Sequence, residues 1–461
     1  MKRLKLNALL AFLLLSFTYL TAQKTETAKV IAFVNVNVLP MNGDGLMPNQ
    51  TVLVKNGKIQ KVGPVTKVRV PKTAMQIDGE GKFLMPGLAE MHAHIPTPRD
   101  GDDTRVKEVL FLYLSRGVTT IRGMLGDPYH LGLRKQAAEG TVLSPRIYTS
   151  SPSVNGNSVQ TVEEARAKIT QYKTDGYDFL KIHPGLSLEV FNAVAATADK
   201  VGIPFAGHVP LQVGIERAID AGYASIDHLD GFLEGLVSES ADVQMDQNGF
   251  FGYNFTEVAD VSKLSKLVAR AKANGVWFVP TQTLMTRWFS PTKPEVIGNE
   301  PEMQYMPSAT LYQWRLNKNR MLDNASYDVK RWEAFVALRQ KIMRNLHRSG
   351  AGLLLGSDAP QVYNVPGFSI HHELQDMVDA GIPALAVLQS GTANPAKFFR
   401  QEGEYGTVVK GAAADLILLE ANPIQDISNA RRQVGVMTAG RWMTKASIDA
   451  HLAEIASRHS K

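Results

Sequence analysis

The chain has 461 residues, 44% of them apolar, 20% charged and none cysteine. That length admits one large domain and a small one, and the missing thiols exclude disulfides and a lipid-modified cysteine. The formal charge of +6 falls to +3 without Lys2, Arg3 and Lys5, and no compact basic run remains to suggest nucleic acid.

In chain order, residues 1–22 read as a secretory signal. Met1–Lys5 is basic, Leu6–Leu20 is almost wholly apolar, and Thr21-Ala22-Gln23 offers a cut after Ala22. The alternative is a membrane anchor, but a span needs roughly 20 apolar residues. No later run is apolar enough to cross a membrane. The expected product is exported, periplasmic or extracellular, with no stable membrane anchor after signal cleavage. Its expected partner is a small-molecule substrate, not nucleic acid, and a homo-oligomer is compatible with the sequence.

Residues 23–85 carry short β patterns, at Val30–Val38, Thr51–Lys55, Val68–Val70 and Met75–Ile77, with an Asn56-Gly57 turn. Between 86 and 403, apolar strands alternate with helical stretches such as Val162–Thr174, Ser187–Val201, Val213–Ala221 and Val261–Asn274. Strand ends fall near His94, Ile121, Tyr148, Ile182, His208, His228, Pro280 and Asp358. Eight such βα units would close a barrel. β character returns over 404–446, at Gly406–Val409, Asp415–Leu419 and Val434–Trp442, and 447–461 reads as a C-terminal helix or tail. The expected α/β fold is a (β/α)8 TIM-like barrel inserted into a small β-sandwich built from both terminal regions. Two stretches exceed ordinary loops, Phe232–Val261 and Thr283–Met343. The second holds Trp288, Phe289, Tyr305, Trp314 and Trp332, which either meet substrate or pack helices onto the barrel.

Six residues at or just past these strand ends carry metal chemistry: His92, His94, Lys181, His208, His228 and Asp358. His92 and His94 lie two apart on a strand and so share a face. Lys181 sits among Phe179, Leu180 and Ile182, where a cation beside metal ions would be repelled and costly to desolvate. A neutral lysine can instead take up CO2 and become a bridging carbamate. Asp358 follows the apolar run Leu353-Leu354-Leu355-Gly356-Ser357, so its carboxylate needs a partner, for which a metal suits.

The run Pro86-Gly87-Leu88, then Glu90, then His92-Ala93-His94, resembles the entry motif of the amidohydrolase superfamily of metal-dependent hydrolases. Asp178–Ile182, Ala206-Gly207-His208, Ser225–His228, Gly356-Ser357-Asp358, Thr392–Ala396 and Gly411–Leu416 look like its later motifs in order. The resemblance spans about Val30 to Trp442 and is nearest to the imidazolonepropionase-like and prolidase-like branch. It implies a binuclear site, with His92 and His94 on one ion, His208 and His228 on the other, and carboxylated Lys181 between them. It also implies that Asp358 binds the first ion and shuttles the proton as the catalytic acid–base. Two divalent ions are expected, zinc first, with manganese, iron or cobalt as substitutes. Substrate contacts are expected from His183, His371 and His372. The implied activity is hydrolysis of an amide, cyclic amide or dipeptide-like C–N bond by a metal-bridged hydroxide. The alternatives are a lactonase or phosphotriester hydrolase on the same site, and a non-catalytic metal-binding relative. Lys181 argues against imidazolonepropionase activity itself, whose site is similar to a one-metal form. Two departures stand out. The loop Ser151–Ser158 has no histidine, and Leu229, not tyrosine, follows His228, so the substrate contacts of dipeptidases do not carry over.

Overall fold

The computed structural model describes residues 30–43 and 45–460, so the expected signal segment lies outside the described residues. Two eight-stranded sheets organise the chain. The first takes strands from both terminal regions: β1 (Ile31–Val38), β2 (Met47–Lys55), β3 (Lys58–Pro64), β4 (Met75–Asp78) and β5 (Phe83–Pro86). The sheet runs from β3 through β2, β1 and β5 to three strands near the C-terminus, with β4 alongside β1. β2 and β3 form a hairpin at Asn56-Gly57, where both residues have positive φ (53° and 71°), as the tight two-residue turn requires. Alternate apolar side chains, among them Phe33, Val36, Val52, Leu84, Leu416 and Leu418, form its buried core.

The second sheet is parallel, and its eight strands come in chain order. They are β6 (Leu88–Ala93), β7 (Val118–Gly123), β8 (Arg146–Val154), β9 (Phe179–Ile182), β10 (Phe205–Gly207), β11 (Ser225–Asp227), β12 (Trp277–Val279) and β13 (Gly352–Leu353). Its edges are also joined. Met91 N–H donates to Leu355 O (2.9 Å) and His94 N–H to Ala359 O (2.8 Å), so the sheet curls until its first strand reaches the last. β9, β10 and β11 are short and buried on both faces, as strands of a covered parallel sheet are. The helices between them carry their own stop and start signals. Val162–Asp175 is capped by Thr161 and ends at Gly176, and Leu188–Val201 is capped by Ser187 and ends at Gly202, both glycines in the left-handed region.

The first sheet continues into β14 (Leu416–Leu419), β15 (Gln433–Thr438) and β16 (Arg441–Thr444). β14 runs antiparallel to β5, pairing Leu416 with Pro86 and Leu418 with Leu84, which ties the two ends of the chain together. Two expected strands are absent. Val68–Val70 follows a turn closed on Pro64 O and packs buried Val68 and half-buried Val70 into a small apolar cluster without strand pairing. Gly406–Val409 breaks at Gly406, whose positive φ (75°) and close approach to Thr392 O prevent regular pairing. The helix Lys445–His459 packs Ile448, Leu452 and Ile455 onto Phe111 and Leu112 of helix Thr104–Ser115. Among the described residues, no helix is long and apolar enough to cross a membrane.

The two long insertions meet. Phe250 lies 4.8 Å from Trp288 and 4.9 Å from Phe289, ring to ring, and Tyr253 packs on Phe335. Tyr253 Oη donates to Asp328 O (2.8 Å) and accepts from Asp328 N–H. Trp332 and Trp314 are packing residues: the first donates to Met285 O, the second sits edge-on to Tyr363.

Candidate metal centre

The C-terminal ends of the parallel strands bring four imidazoles, one lysine and one aspartate together. His92 lies at the end of β6 and His94 just past it, their rings 5.4 Å apart. The His92 ring is 4.4 Å from that of His228, and His228 is 4.7 Å from His208. Asp358 faces them. Its Oδ1 lies 2.7 Å from His94 Nε2 and 3.5 Å from His92 Nε2, and its Oδ2 lies 3.9 Å from His228 Nδ1. Ligand atoms of His92, His228 and Asp358 all fall within 4.8 Å of one another, near enough for one ion. His228 and Asp358 both hold φ of 63°, a backbone region costly for residues with a Cβ. Such strain concentrates at functional sites, and the surroundings here enforce it. Buried Arg339 donates to His228 O (2.7 Å) and Pro280 O (2.9 Å), which pins the bend.

Lys181 on β9 is fully buried and its Nζ has no hydrogen-bond partner. Burial pushes its ammonium down to about 8, against the pull of Asp227 and Asp358. Gly207 on the neighbouring strand makes the room. Its φ is 126°, and a Cβ there would stand 2.4 Å from Ile182 O and 3.0 Å from Lys181 Cδ. Burial likewise pushes His208 down to about 3 and holds His92 and His228 well below the usual imidazole range, with Lys181 adding to each shift. Neutral imidazoles are what metal ligation needs.

Hydrogen bonds orient the rings. His208 Nδ1 lies 3.1 Å from Asp230 Oδ2, an acceptor that selects the Nδ1–H tautomer and frees Nε2. The Thr281 hydroxyl gives its proton to Pro280 O (2.8 Å), so it accepts from His228 Nδ1 (2.9 Å) and again leaves Nε2 free. Below them, Arg122 donates to Asp227 (3.1 Å), Ser225 Oγ (2.9 Å) and Met91 O (2.7 Å), and Asp227 reaches His92 Nδ1 at 3.1 Å. Glu90 accepts from His92 N–H (3.0 Å) and Ser357 N–H (2.8 Å), joining β6 to the Asp358 segment, and burial raises its carboxyl to about 8. Gly356 allows that approach, since a Cβ there would meet Val279 Cγ1 at 2.5 Å and His92 N at 2.9 Å. Sequence reasoning did not single out Asp230, Thr281, Arg122 or Arg339. The available signals were an acid two residues past His228 and a cation inside the apolar run Val118–Gly123.

Of the three histidines expected to meet substrate, His183 alone stands beside the cluster. Its ring stacks 5.0 Å from that of His208, its Nδ1 bonds Ser153 Oγ (2.7 Å), and it lines an open cleft. His371 and His372 lie elsewhere, on helix Ser369–Asp379. His371 Nε2 bonds Arg116 O (3.1 Å), His372 Nε2 bonds Glu302 (2.9 Å), and both line a separate cavity with Phe368 and Arg431. The segment after Asp358 turns outward before that helix starts, so nearness in sequence does not carry them to the cluster.

The chain belongs to the amidohydrolase family, whose sequence pattern matches residues 83–443. It is thus a hydrolase acting on carbon–nitrogen bonds, in a metal-dependent family with a TIM-like fold. It is 22% identical to the ochratoxinase of Aspergillus niger over 440 residues, 88% of this chain and 85% of that protein. A 64-residue stretch is 39% identical to the imidazolonepropionase of Idiomarina loihiensis, covering 13% of this chain and 16% of that one. Among solved structures, bottromycin amidohydrolase superposes with a TM-score of 0.70 at 22% identity, over 93% of this chain and 90% of that chain. A Xaa-Pro dipeptidase with bound methionine superposes at 0.65 with 20% identity, over 90% of this chain and all of that one (100%).

Proposed function

We propose that the protein is an exported, binuclear amidohydrolase that cleaves the C–N bond of a small amide, cyclic amide or dipeptide-like substrate. The single observation that carries this reading is buried, unpartnered Lys181 Nζ among four histidines with Asp358 opposite. An isolated buried ammonium is unfavourable there, whereas a carbamate on Lys181 supplies the anion that two cations need between them. His92, His94 and Asp358 would hold one ion, His208 and His228 the other, with Lys181 reaching both. When bound, the ions, zinc in our reading, make water nucleophilic near neutral pH and polarise the scissile carbonyl.

The chain's own residues do the rest. Asp230 and Thr281 keep the His208 and His228 rings turned. Asp358 takes a proton from the attacking water and returns it to the departing amine. His183, at the edge of the cluster, is placed to touch substrate. Proteins of similar fold are described as a Xaa-Pro dipeptidase, a molinate hydrolase and an ochratoxinase, which supports C–N chemistry with varied side groups. The terminal sheet, whose β3 edge bridges to Ala413, is the small β-sandwich of this reading. Export rests on residues 1–22.

The test is elemental analysis together with carbon-13 NMR after exchange into labelled bicarbonate, on wild type and Lys181→Ala. Two ions per chain and a carbamate resonance lost in the variant are expected. One ion and no resonance would refute the binuclear reading. Turnover of a lactone or phosphotriester panel with every amide inert would refute the amide assignment.

A further inference from the structure

A cavity of about 740 Å³ opens beside His208 rather than beside His94. Its walls are mostly apolar, from Val209, Leu211, Val213, Ile215, Phe250 and Phe251. Three residues belong both to this cavity and to the metal centre. His208 is a candidate ligand, Asp230 turns its ring, and Phe251 stacks on it at 5.9 Å and 12°. Phe251 also lies 5.0 Å from the His228 ring, and it holds a φ of 51° to do so. Keeping a phenylalanine in the left-handed region needs support from its surroundings, which here is Phe250 packed against Trp288 and Phe289. The cavity is therefore an annex of the second metal position, walled by the junction of the two insertions.

Asp230 and Glu234 line its inner side, with Arg217 the lysine-or-arginine cation among the described lining residues, while Glu216 at its edge is paired with Arg270 (2.7 Å). Arg217 is already engaged by Asn192 Oδ1 through Nε (2.9 Å) and Nη2 (2.6 Å). An anionic side chain seated beside His208 would meet the carboxyl groups of Asp230 and Glu234 and leave water for mostly apolar walls. At the mouth, Leu211 and Met245 stay 38% and 42% exposed, apolar surface that a ligand would cover.

We infer that this cavity is the specificity pocket of the enzyme and takes a bulky, uncharged, apolar substituent of the substrate, aryl or branched alkyl, in preference to a small or anionic one. The inference rests on the proposed hydrolase site, whose second metal position the cavity adjoins. It explains why the residues that bind the termini of dipeptides can be missing. Much of the recognition comes from burying an apolar group, and the fixed polar contacts are few.

Binding is measured by calorimetry on the metal-loaded Asp358→Asn protein, with the N-acetyl amino acid amides of phenylalanine, glycine and glutamate. These differ only in the side chain. The phenylalanine compound should bind at least about ten-fold more tightly than the other two, in line with the burial of several methylene-sized groups. Leu211→Trp and Met245→Trp, both at the exposed mouth, should shrink that preference at least about three-fold by occupying the cavity. Equal or tighter binding of the glycine or glutamate compound overturns the inference. So does an unchanged preference in both variants, or no binding of the phenylalanine compound. If the preference holds in binding but wild type hydrolyses no amide, the pocket stands and the proposed reaction falls.

Discussion

Gly207→Ala isolates the geometry that admits Lys181. At φ of 126° an alanine occupies a region nearly reserved for glycine, and its Cβ would lie 2.4 Å from Ile182 O and 3.0 Å from Lys181 Cδ. The backbone strain costs about 1–3 kcal/mol. Relieving the carbonyl contact must in addition push β10 from β9, whose register pairs Gly207 with Ile182. Together these give a loss of about 2–4 kcal/mol, at the upper end for single substitutions. Gly202→Ala is the control. Its φ is 68° and nothing lies within 4 Å of the added methyl, so only the left-handed penalty of about 1–2 kcal/mol applies. Chemical denaturation of both variants, with metal content measured in parallel, separates the two contributions. Gly207→Ala should lose more stability than Gly202→Ala and should alone lose metal. Equal losses with full metal in both would refute the argument that Gly207 exists to seat Lys181.

Asp358→Asn should keep the fold and lower kcat by about 10²–10⁴-fold, since an amide cannot accept the proton; near-wild-type turnover would remove Asp358 from that role. Asp230→Ala and Thr281→Val each lose the acceptor that orients a histidine, and metal affinity should fall about 10–100-fold by competition with a chelator. A pH effect should come from Glu108. Burial alone would raise its carboxyl, but hydrogen bonds from Arg458, Arg105 and His459 outweigh that and hold it below the usual range. A depressed carboxyl stabilises the fold above its unfolded value, about 4.3, and loses that contribution as pH falls through the folded value. Denaturation midpoints between pH 5 and pH 3 should therefore drop less in Glu108→Gln than in wild type, and parallel curves would refute the linkage.

The parallel sheet was legible because most of its strands lie in short buried segments that alternate with helical stretches, although β7 and β8 carry several polar residues. Seven of the eight expected ends, from His94 to Pro280, coincide with the observed strands or the residues just after them, whereas β13 stops at Leu353, ahead of Asp358. The histidines, Lys181 and Asp358 were legible for the same reason, since a charge directly after Leu180 or Leu355-Gly356-Ser357 demands a partner. What stayed hidden depends on distance along the chain. Arg339 reaches His228 O from a helix more than a hundred positions away, and nothing local in that helix distinguishes it from a surface arginine. His371 and His372 mislead in the opposite sense. They are close in sequence to Asp358 but are carried outward on a helix that faces Arg116 and Glu302. Val68–Val70 had the composition of a strand, but nothing pairs with it after the turn on Pro64.

The pairing of β5 with β14 sets an order of assembly. Only Gly87 separates β5 from β6, its N–H is held by Asp415 O at 2.8 Å, and β6 carries His92 and runs directly into His94. The strand that presents the first two histidines is thus anchored by residues near the far end of the chain. A growing polypeptide therefore emerges with these histidines well before the residues that brace their strand. A chain that stops short of Asp415–Leu419 would have every candidate ligand yet a β6 without the support that β14 gives through β5.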